Sequence, residues 1–341
     1  MTFARKIVQW QKQHGRHDLP WQNTHDAYKI WLSEIMLQQT QVVTVKTYYD
    51  KFLTRFPTVT DLAQASQDDV LALWAGLGYY SRARNLHHGA QTVAGDWGGA
   101  FPQLPEQLQT LKGIGASTAA AIAVFAYGYP APILDGNVKR IMCRYFGVDA
   151  PANAATDKVL WQIAEREIQH LDASKADDLR AYTQGLMDLG ASLCSRRQPD
   201  CAACPLRTEC YAYQHQLTEQ LPRAKVPTKV QAMTMDLFVY RHQDQIWLEK
   251  RPNTGIWAGL YVFPTEARVL SESDGETLLA TTHRLTHRLL TLNATLWNLS
   301  ESEARQLEEH GQNGVWVSAH NIDSIGMPKP IAAKVRELLN I

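Results

Sequence analysis

The sequence has no excess charge of either sign, no long hydrophobic run and few cysteines. Its 34 basic residues balance 34 acidic ones, so nucleic-acid binding would have to rest on local clusters, which argues against a purely electrostatic binder. No apolar run approaches the roughly 18 residues of a membrane-spanning helix, and the N-terminal segment lacks a signal-peptide apolar core. These absences predict a cytoplasmic, globular protein without a membrane partner.

Two periodicities divide the 341 residues. The first part contains helical segments and no alternating, β-branched run. They are predicted at residues 2–14, 27–37, 41–55, 68–74, 81–94, 104–110, 116–127, 137–146, 157–169 and 177–189. The proline-containing segment 221–227 predicts a linker, and the period then changes to two. Strands are predicted at residues 233–240, 245–249, 259–263, 289–297 and 315–317, with a closing helix at 329–339.

Four of the five cysteines lie close together near the end of the helical part, at Cys194, Cys201, Cys204 and Cys210. Thiols packed so closely in a cytoplasmic chain indicate metal ligands before disulfides. Four thiolates suit either a zinc ion or an iron-sulfur cluster, and the spacing alone leaves that choice open.

Glu34 is the one acid in the apolar helical stretch 28–40. Burial in such a helix raises the pKa of a carboxyl group, and a carboxyl that keeps its proton near neutral pH can act as a general acid. Asp135 and Asn137 precede another helical run, where a helix N-cap is the plain structural interpretation. If Asp135 faces Glu34, the pair suits the cleavage of a glycosidic bond.

Two further motifs suit DNA. Gly113 and Gly115 form a Gly-x-Gly turn that opens into a helix, the pattern of a helix-hairpin-helix that grips a phosphate through backbone amides. Leu77 and Tyr79 lie among glycines and arginines, where an apolar side chain could enter a base stack or could pack on the helical core.

Together these stretches resemble the MutY-type adenine DNA glycosylases of the helix-hairpin-helix base-excision superfamily. The motifs that carry the resemblance are WLSEIMLQQTQV, WAGLGYYSRARNLH, LKGIGASTAAAI, PILDGNVKR and the cysteine array. The resemblance implies that Glu34 protonates adenine at N7, that Asp135 stabilises the deoxyribose cation and that Asn137 helps to orient the attacking water. It implies a [4Fe-4S] cluster on the four cysteines.

The resemblance also implies DNA contacts. Residues that wedge or read the duplex are Gln39, Thr40, Leu77 and Tyr79. Glycosylases for oxidised pyrimidines carry a nucleophilic lysine where this chain has Ser117, so a monofunctional enzyme that uses water is expected. Lys139 could be trapped slowly as a Schiff base, but a phosphate contact is its expected role.

The C-terminal part resembles a Nudix-like domain that lacks the Arg-Glu-x-x-Glu-Glu cluster of the hydrolases, so we expect it to bind rather than to cleave. The family reads 8-oxoguanine with a Phe-Ser-His loop. The matching residues here are Leu285, Thr286 and His287, in which the aromatic is replaced by leucine. Gln22 is a second departure, because the family commonly has arginine there.

The predicted fold is therefore multi-domain, an all-α glycosylase region with an iron-sulfur loop followed by an α+β Nudix-like domain. The predicted limits are 1–217 for the helical region (a six-helix subdomain at about 25–130, an iron-sulfur subdomain from 1–24 plus 131–217), 218–230 for the linker and 231–341 for the Nudix-like domain. The predicted substrate is double-stranded DNA with adenine opposite 8-oxoguanine or guanine, bound by a monomer. Alternatives are a glycosylase for oxidised pyrimidines or uracil and a non-catalytic sensor of DNA structure.

Overall fold

The computed structural model describes residues 1–224, 230–268, 274–311 and 313–341. Within them the chain forms two compact units. The first contains residues 1–63 and 88–224, and the second contains residues 64–87 together with the described residues from 230 onward. The segment 64–87 lies inside the predicted helical region, yet its contacts place it in the same unit as the C-terminal residues.

Residues 1–224 form twelve α-helices, and each of the ten predicted helical segments corresponds to a different one of them. The helices are α1 Phe3–His14, α2 Ala27–Leu37, α3 Val42–Arg55, α4 Val59–Gln64, α5 Gln67–Leu73, α6 Ser81–Asp96, α7 Pro105–Leu108, α8 Ala116–Tyr127, α9 Gly136–Phe146, α10 Ala154–Ile168, α11 Ala176–Ala191 and α12 Tyr211–Gln214. The prediction missed α4 and α12, which have six and four residues and are too short to show a helical period.

Two glycines in the first unit allow other helices to pack closely against their backbone. Gly185 in α11 lies against α1, where a Cβ atom would be 2.7 Å from Cγ2 of Ile7. Gly89 in α6 similarly admits the indole of Trp31, since a Cβ there would be 2.9 Å from the ring. Trp31 is fully buried and packs against Phe101 with ring centroids 5.2 Å apart. These contacts hold α2, the helix that carries Glu34, deep within the first unit.

The described residues from 230 onward form a mixed sheet of six strands, β1 Gln231–His242, β2 Gln245–Lys250, β3 Tyr261–Val262, β4 Glu276–Arg284, β5 Arg288–Asn298 and β6 Gly314–Val317. The strand order is β3-β2-β1-β5-β4, with β6 also paired to β2. Strands β1 and β5 run parallel, and the other pairs are antiparallel. Two helices accompany the sheet, α13 Glu301–His310 and α14 Lys329–Leu338.

The five predicted strands and the closing helix are all present, although β3 is shorter than predicted. The prediction missed β4 and α13. Strand β4 is exposed along most of its length, so it lacks the alternation that marks a half-buried strand. In the part of the chain that the structure describes, no helix is long and apolar enough to span a membrane.

Candidate active site

Helix α2 presents Glu34 from an almost completely apolar helix. The helix begins where the side chain of Asp26 accepts a hydrogen bond from the backbone N–H of Tyr28 at 2.9 Å. Seven of its eleven residues are buried, on every side of the helix, as the apolar pattern predicted. Glu34 itself is half-buried because it faces a cleft.

The surroundings of Glu34 favour its protonated form. Burial, together with the smaller effect of the negative charge of Asp135, raises the pKa of the Glu34 carboxyl to about 8. Removing a carboxylate from water disfavours its ionised form, and a neighbouring carboxylate adds repulsion. Glu34 therefore carries a proton at neutral pH that it can donate.

Asp135 reaches this cleft at the end of an extended segment that Ser117 holds in place. Ser117, in the first turn of α8, accepts a hydrogen bond at its Oγ from the backbone N–H of Leu134 at 3.0 Å. Asp135 is also the N-cap of α9, because its Oδ1 accepts from the N–H of Val138 at 2.8 Å. Asp135 therefore has both of the roles that the sequence suggested. One of its carboxylate oxygens caps α9, and the residue also lines the cleft.

Asn137 is oriented by its neighbours on α9 and α11. Its Oδ1 accepts a hydrogen bond from Nη2 of Arg140 at 2.9 Å. Arg140 also donates to the carbonyl oxygens of Gly190, at 2.7 Å, and Cys194, at 2.9 Å. At Gly190 a Cβ atom would lie 2.6 Å from the Cβ of Asn137, so glycine is needed for this approach. Arg140 therefore joins α9 to the loop that carries the cysteines.

The cleft in the first unit has a volume of about 1780 Å³. Eight residues that the sequence singled out line it, namely Gln22, Glu34, Gln39, Thr40, Gly115, Ser117, Asp135 and Asn137. Its rim also includes basic residues that the sequence did not assign to the site, namely Arg16, His25, Arg140, Arg144, Arg180, Arg196, Arg197 and Arg223. These basic residues are spread along the sequence, where only Arg140, beside Lys139, and the adjacent Arg196 and Arg197 belong to local basic clusters.

Two of the predicted DNA-binding residues of this unit lie outside the lining of the cleft. Gly113 is exposed and has a φ of 87°, in the turn that leads to Gly115, the N-cap of α8. The sequence therefore does fold into the predicted hairpin. Lys139 instead forms an ion pair with Asp157, with Nζ 2.6 Å from Oδ1.

The four clustered cysteines line one small pocket, which Arg144 and Arg207 also border. All four thiols are free. The buried Arg144 donates from Nη1 to Sγ of Cys194 at 3.4 Å. Burial raises the pKa of the Cys204 thiol to about 12, so four thiolates require compensating positive charge. The donor set therefore fits a metal group, although no trio of His, Cys, Asp or Glu in the described ranges could hold a metal ion as placed.

The remaining predicted residues belong to the second unit. Leu77 is 6% exposed and packs inside it, whereas Tyr79 is 50% exposed and has a φ of 48°. Leu285, Thr286 and His287 form the turn between β4 and β5, which the N–H of Leu285 closes by donating to the carbonyl oxygen of Arg288 at 2.8 Å. Thr286 and His287 are exposed, and Leu285 packs partly against the sheet core.

Comparisons with known proteins show which families the chain is similar to. The model of the HhH-GPD superfamily base excision DNA repair proteins matches residues 32–166, and that of the NUDIX domain matches residues 237–336. The adenine DNA glycosylase of Buchnera aphidicola subsp. Acyrthosiphon pisum (strain APS) is 34% identical over 341 residues, 96% of this chain and 95% of its own. That of Homo sapiens is 41% identical over 230 residues, 64% of this chain and 41% of its own.

Among solved structures, that of a thermostable thymine-DNA glycosylase superposes with a TM-score of 0.55 at 30% identity, covering 62% of this chain and 95% of that one. The predicted fold, a helical glycosylase region followed by a Nudix-like domain, is confirmed. The chain belongs to the adenine DNA glycosylases of the HhH-GPD superfamily.

Proposed function

We propose that the chain is a monofunctional DNA glycosylase that hydrolyses the N-glycosidic bond of adenine paired with 8-oxoguanine or guanine. The observation that carries the proposal is the presence of two unlike carboxyl groups in one cleft. Glu34 is held protonated by burial and by the charge of Asp135, and Asp135 lines the same cleft. Enzymes that cleave glycosidic bonds use one carboxyl as an acid and a second to stabilise positive charge.

The steps follow from these roles. Adenine is flipped out of the duplex, which costs a few kcal/mol and is easiest at a mispair. Glu34 donates its proton to the base at N7, and the bond between the base and C1′ breaks with its electron pair going to adenine. The carboxylate of Asp135 stabilises the positive charge on the sugar. Water oriented by Asn137 then adds to C1′ and loses a proton, which leaves an abasic site and returns Glu34 to its protonated form.

Water is the proposed nucleophile because no amine stands at the position of the nucleophilic lysine of related lyases. That position is Ser117, whose hydroxyl accepts from Leu134. The ammonium group of Lys139 is paired with Asp157. That ion pair occupies the side chain of Lys139, so Lys139 is not the proposed nucleophile.

DNA binding is proposed along the basic rim of the cleft and at the start of α8. The amides in the first turn of a helix have no intrahelical partner and point toward solvent, which suits a phosphate oxygen. Gly115 leaves this helix start open, because a Cβ atom there would meet nothing within 4 Å. Gln39 has a φ of 58° and is exposed, so its side chain can reach a base.

A [4Fe-4S] cluster is proposed on Cys194, Cys201, Cys204 and Cys210. The four thiols surround a shared pocket, which suits a group of several atoms better than a single ion. When bound, the cluster supplies the positive charge that four thiolates need, and it holds the loop carrying Arg196 and Arg197 in one conformation. Visible absorbance of the purified protein tests this, because a colourless, zinc-containing and active protein would contradict it.

Recognition of the opposite base is proposed for the turn between β4 and β5. Thr286 and His287 present a hydroxyl and an imidazole to solvent, and the exposed Arg284 and Arg288 flank them. Hydrogen bonds from such groups could read 8-oxoguanine while the arginines contact phosphates. The proposed partner of the monomeric protein is therefore a duplex with adenine opposite 8-oxoguanine or guanine.

A pyrimidine glycosylase is the second candidate, because the thymine-DNA glycosylase structure shares 30% identity with the chain. One assay separates the two. Duplexes carrying adenine opposite 8-oxoguanine, thymine opposite guanine, or uracil opposite guanine are incubated with the protein and then treated with alkali. We expect strand scission at adenine, and scission confined to the pyrimidine would overturn the proposal.

The same assay tests the carboxyl groups. Asp135→Asn and Glu34→Gln should remove scission, whereas Asp26→Asn should retain it. Asp26 is a matched control because it caps α2 as Asp135 caps α9, and asparagine is an equally good cap. Scission that persists in both Asp135→Asn and Glu34→Gln would contradict the mechanism.

A further inference from the structure

The loop Gly76–Tyr80 in the second unit is held in an unfavourable backbone conformation. Gly76 and Gly78 have φ values of 99° and 71°, and Tyr79 has a φ of 48°. A left-handed conformation is unfavourable for a residue with a Cβ atom, because the Cβ atom lies too close to the following carbonyl oxygen. The side chain of Tyr79 is nevertheless half exposed, so its own packing contributes little. Contacts of the neighbouring residues must therefore maintain the backbone conformation of Tyr79.

The inner side of the loop is held by two side chains from the adjoining helices. The indole Nε1 of Trp74 donates to the carbonyl oxygen of Gly78 at 3.0 Å. The guanidinium of Arg82 donates to the same oxygen at 3.2 Å and lies over the ring of Tyr79, 5.7 Å from its centroid. These contacts position the backbone on which Tyr79 is displayed.

The outer side of the loop is held by the C-terminal residues. Immediately after Tyr79, the hydroxyl of Tyr80 donates to the carbonyl oxygen of Met327 at 2.7 Å. One helical turn later, Nη1 of Arg84 donates to the carbonyl oxygen of Ala258 at 2.7 Å. Both acceptors are backbone atoms of the Nudix-like domain, so the contact depends on the fold of that domain and not on one side chain of it.

The helix before the loop is held by the same domain. Asp68 in α5 pairs with Nζ of Lys250 and accepts from the hydroxyl of Tyr261 at 3.4 Å. Leu71 lies directly against Gly326, where a Cβ atom would be 3.1 Å from the Cβ of Leu71. The loop is therefore fixed to the C-terminal domain at both ends.

We infer that the Nudix-like domain sets the conformation in which Tyr79 is presented to the duplex, and that Tyr80, Arg84 and Asp68 are positioning residues for this purpose. The inference rests on the proposed function and on the DNA contact that the family resemblance implies for Tyr79. The domain that carries Thr286 and His287 thus also controls a DNA-contacting side chain far from them in sequence. Part of the effect of the Nudix-like domain on adenine excision is then transmitted through the loop 76–80.

A double-mutant cycle between Tyr80→Phe and Tyr79→Ala tests this inference. The readouts are the single-turnover excision rate and the fluorescence of 2-aminopurine placed beside the target adenine, which reports unstacking. Loss of one hydrogen bond of about 0.5–1.5 kcal/mol should lower both signals about 2- to 10-fold when Tyr79 is present. Because Tyr80 acts through Tyr79, Tyr80→Phe should have no further effect on Tyr79→Ala. Asp68→Asn should behave in the same way.

Tyr127→Phe is the matched control, because the hydroxyl of Tyr127 donates to the carbonyl oxygen of Phe101 at 2.9 Å in the first unit. It should change neither readout. Equal losses from Tyr80→Phe with and without Tyr79, or no loss in either, would overturn the inference. Absence of any adenine excision by the wild type would instead overturn the proposed function. If Tyr79→Ala alone has no effect while excision is retained, the inference fails and the proposed function stands.

Discussion

Two glutamates, one in each unit, differ in what surrounds them. Glu34 lies in an apolar helix, and the charge that adds to the effect of burial on its pKa is that of a second carboxylate, Asp135. Glu249 in β2 is only 8% exposed, but both of its oxygens accept from the guanidinium of Arg268 at 2.8–3.2 Å. Burial alone therefore does not make a general acid. The partner decides whether a carboxyl group holds its proton or serves as a structural anion.

The same contrast separates the two regions in chemical terms. The cleft of the first unit collects unlike groups from α2, α8 and α9, whereas in the sheet of the second unit the buried Glu249 is paired with Arg268. Arg268 also donates its backbone N–H to the hydroxyl of Tyr240 at 2.9 Å. A carboxylate paired with a guanidinium suits a structural role, and a carboxyl group that is held protonated suits catalysis.

The largest expected effect is on excision. Glu34→Gln should lower the single-turnover rate by about 10²–10⁴-fold, because general acid catalysis contributes that much. Glu249→Gln should change the rate less than about 3-fold, since Glu249 has a structural role. Similar losses from both variants would show that the environments of the two glutamates do not distinguish their functions.

The pH dependence should follow the raised pKa of Glu34. The carboxyl is protonated below about pH 8, so the rate should fall about tenfold per unit of pH above that value. Single-turnover rates between pH 6 and 10, with duplex binding measured in parallel, test this. A rate that stays constant to pH 10 while binding is unchanged would contradict the assignment of Glu34 as the acid.

The two glutamates should have opposite effects on stability. The pKa of Glu34 is raised by folding, so the folded state binds a proton more tightly than the unfolded one and stability falls as the pH rises from about 4.5 to 8. Glu34→Gln should therefore stabilise the protein by about 4 kcal/mol at pH 8 and by nothing at pH 4. Glu249→Gln should destabilise it by about 2 kcal/mol at pH 7, because it weakens a pair with Arg268. Denaturant unfolding at pH 4, 7 and 8 measures both effects, and the same sign for both variants at pH 7 and 8 would refute the contrast.

The smallest expected effect is that of Ser117→Ala. It removes the acceptor of the Leu134 N–H and should cost about 1 kcal/mol of stability. Excision should fall less than about 10-fold, because Asp135 keeps its bond to the N–H of Val138. Thr92→Ala is a suitable control, since its hydroxyl bonds only within α6. A loss as large as that of Glu34→Gln would mean that Ser117 has a more direct role.

Much of the fold could be predicted because apolar spacing marks the buried faces of helices and strands. Helix α13 was not predicted because its apolar residues are only Ala304 and Leu307, which are buried. Two apolar residues are too few to show a helical period. A signal for it was present in the sequence, since Ser300 and Glu303 form a capping box. Strand β4 left no comparable signal, because an exposed strand has no face that must be apolar.

The site could be predicted only in part. The spacing within α2 predicted a buried acid, but 100 residues separate Glu34 from Asp135 along the sequence, and only the family resemblance suggested that they meet. The structural contacts of Arg140 could not be predicted, because two of its three acceptors are backbone carbonyls, which carry no sequence identity. For the same reason the bond from Tyr80 to Met327 could not be foreseen.

Arg144 concentrates several attachments in one side chain. Besides the thiol of Cys194, it donates to the carbonyl oxygens of Ser195 at 2.7 Å, Arg196 at 3.3 Å and Leu221 at 2.9 Å. These acceptors belong to two separate segments, the cysteine loop and the segment that leads into the linker. One substitution of Arg144 would therefore weaken the attachment of both segments at once.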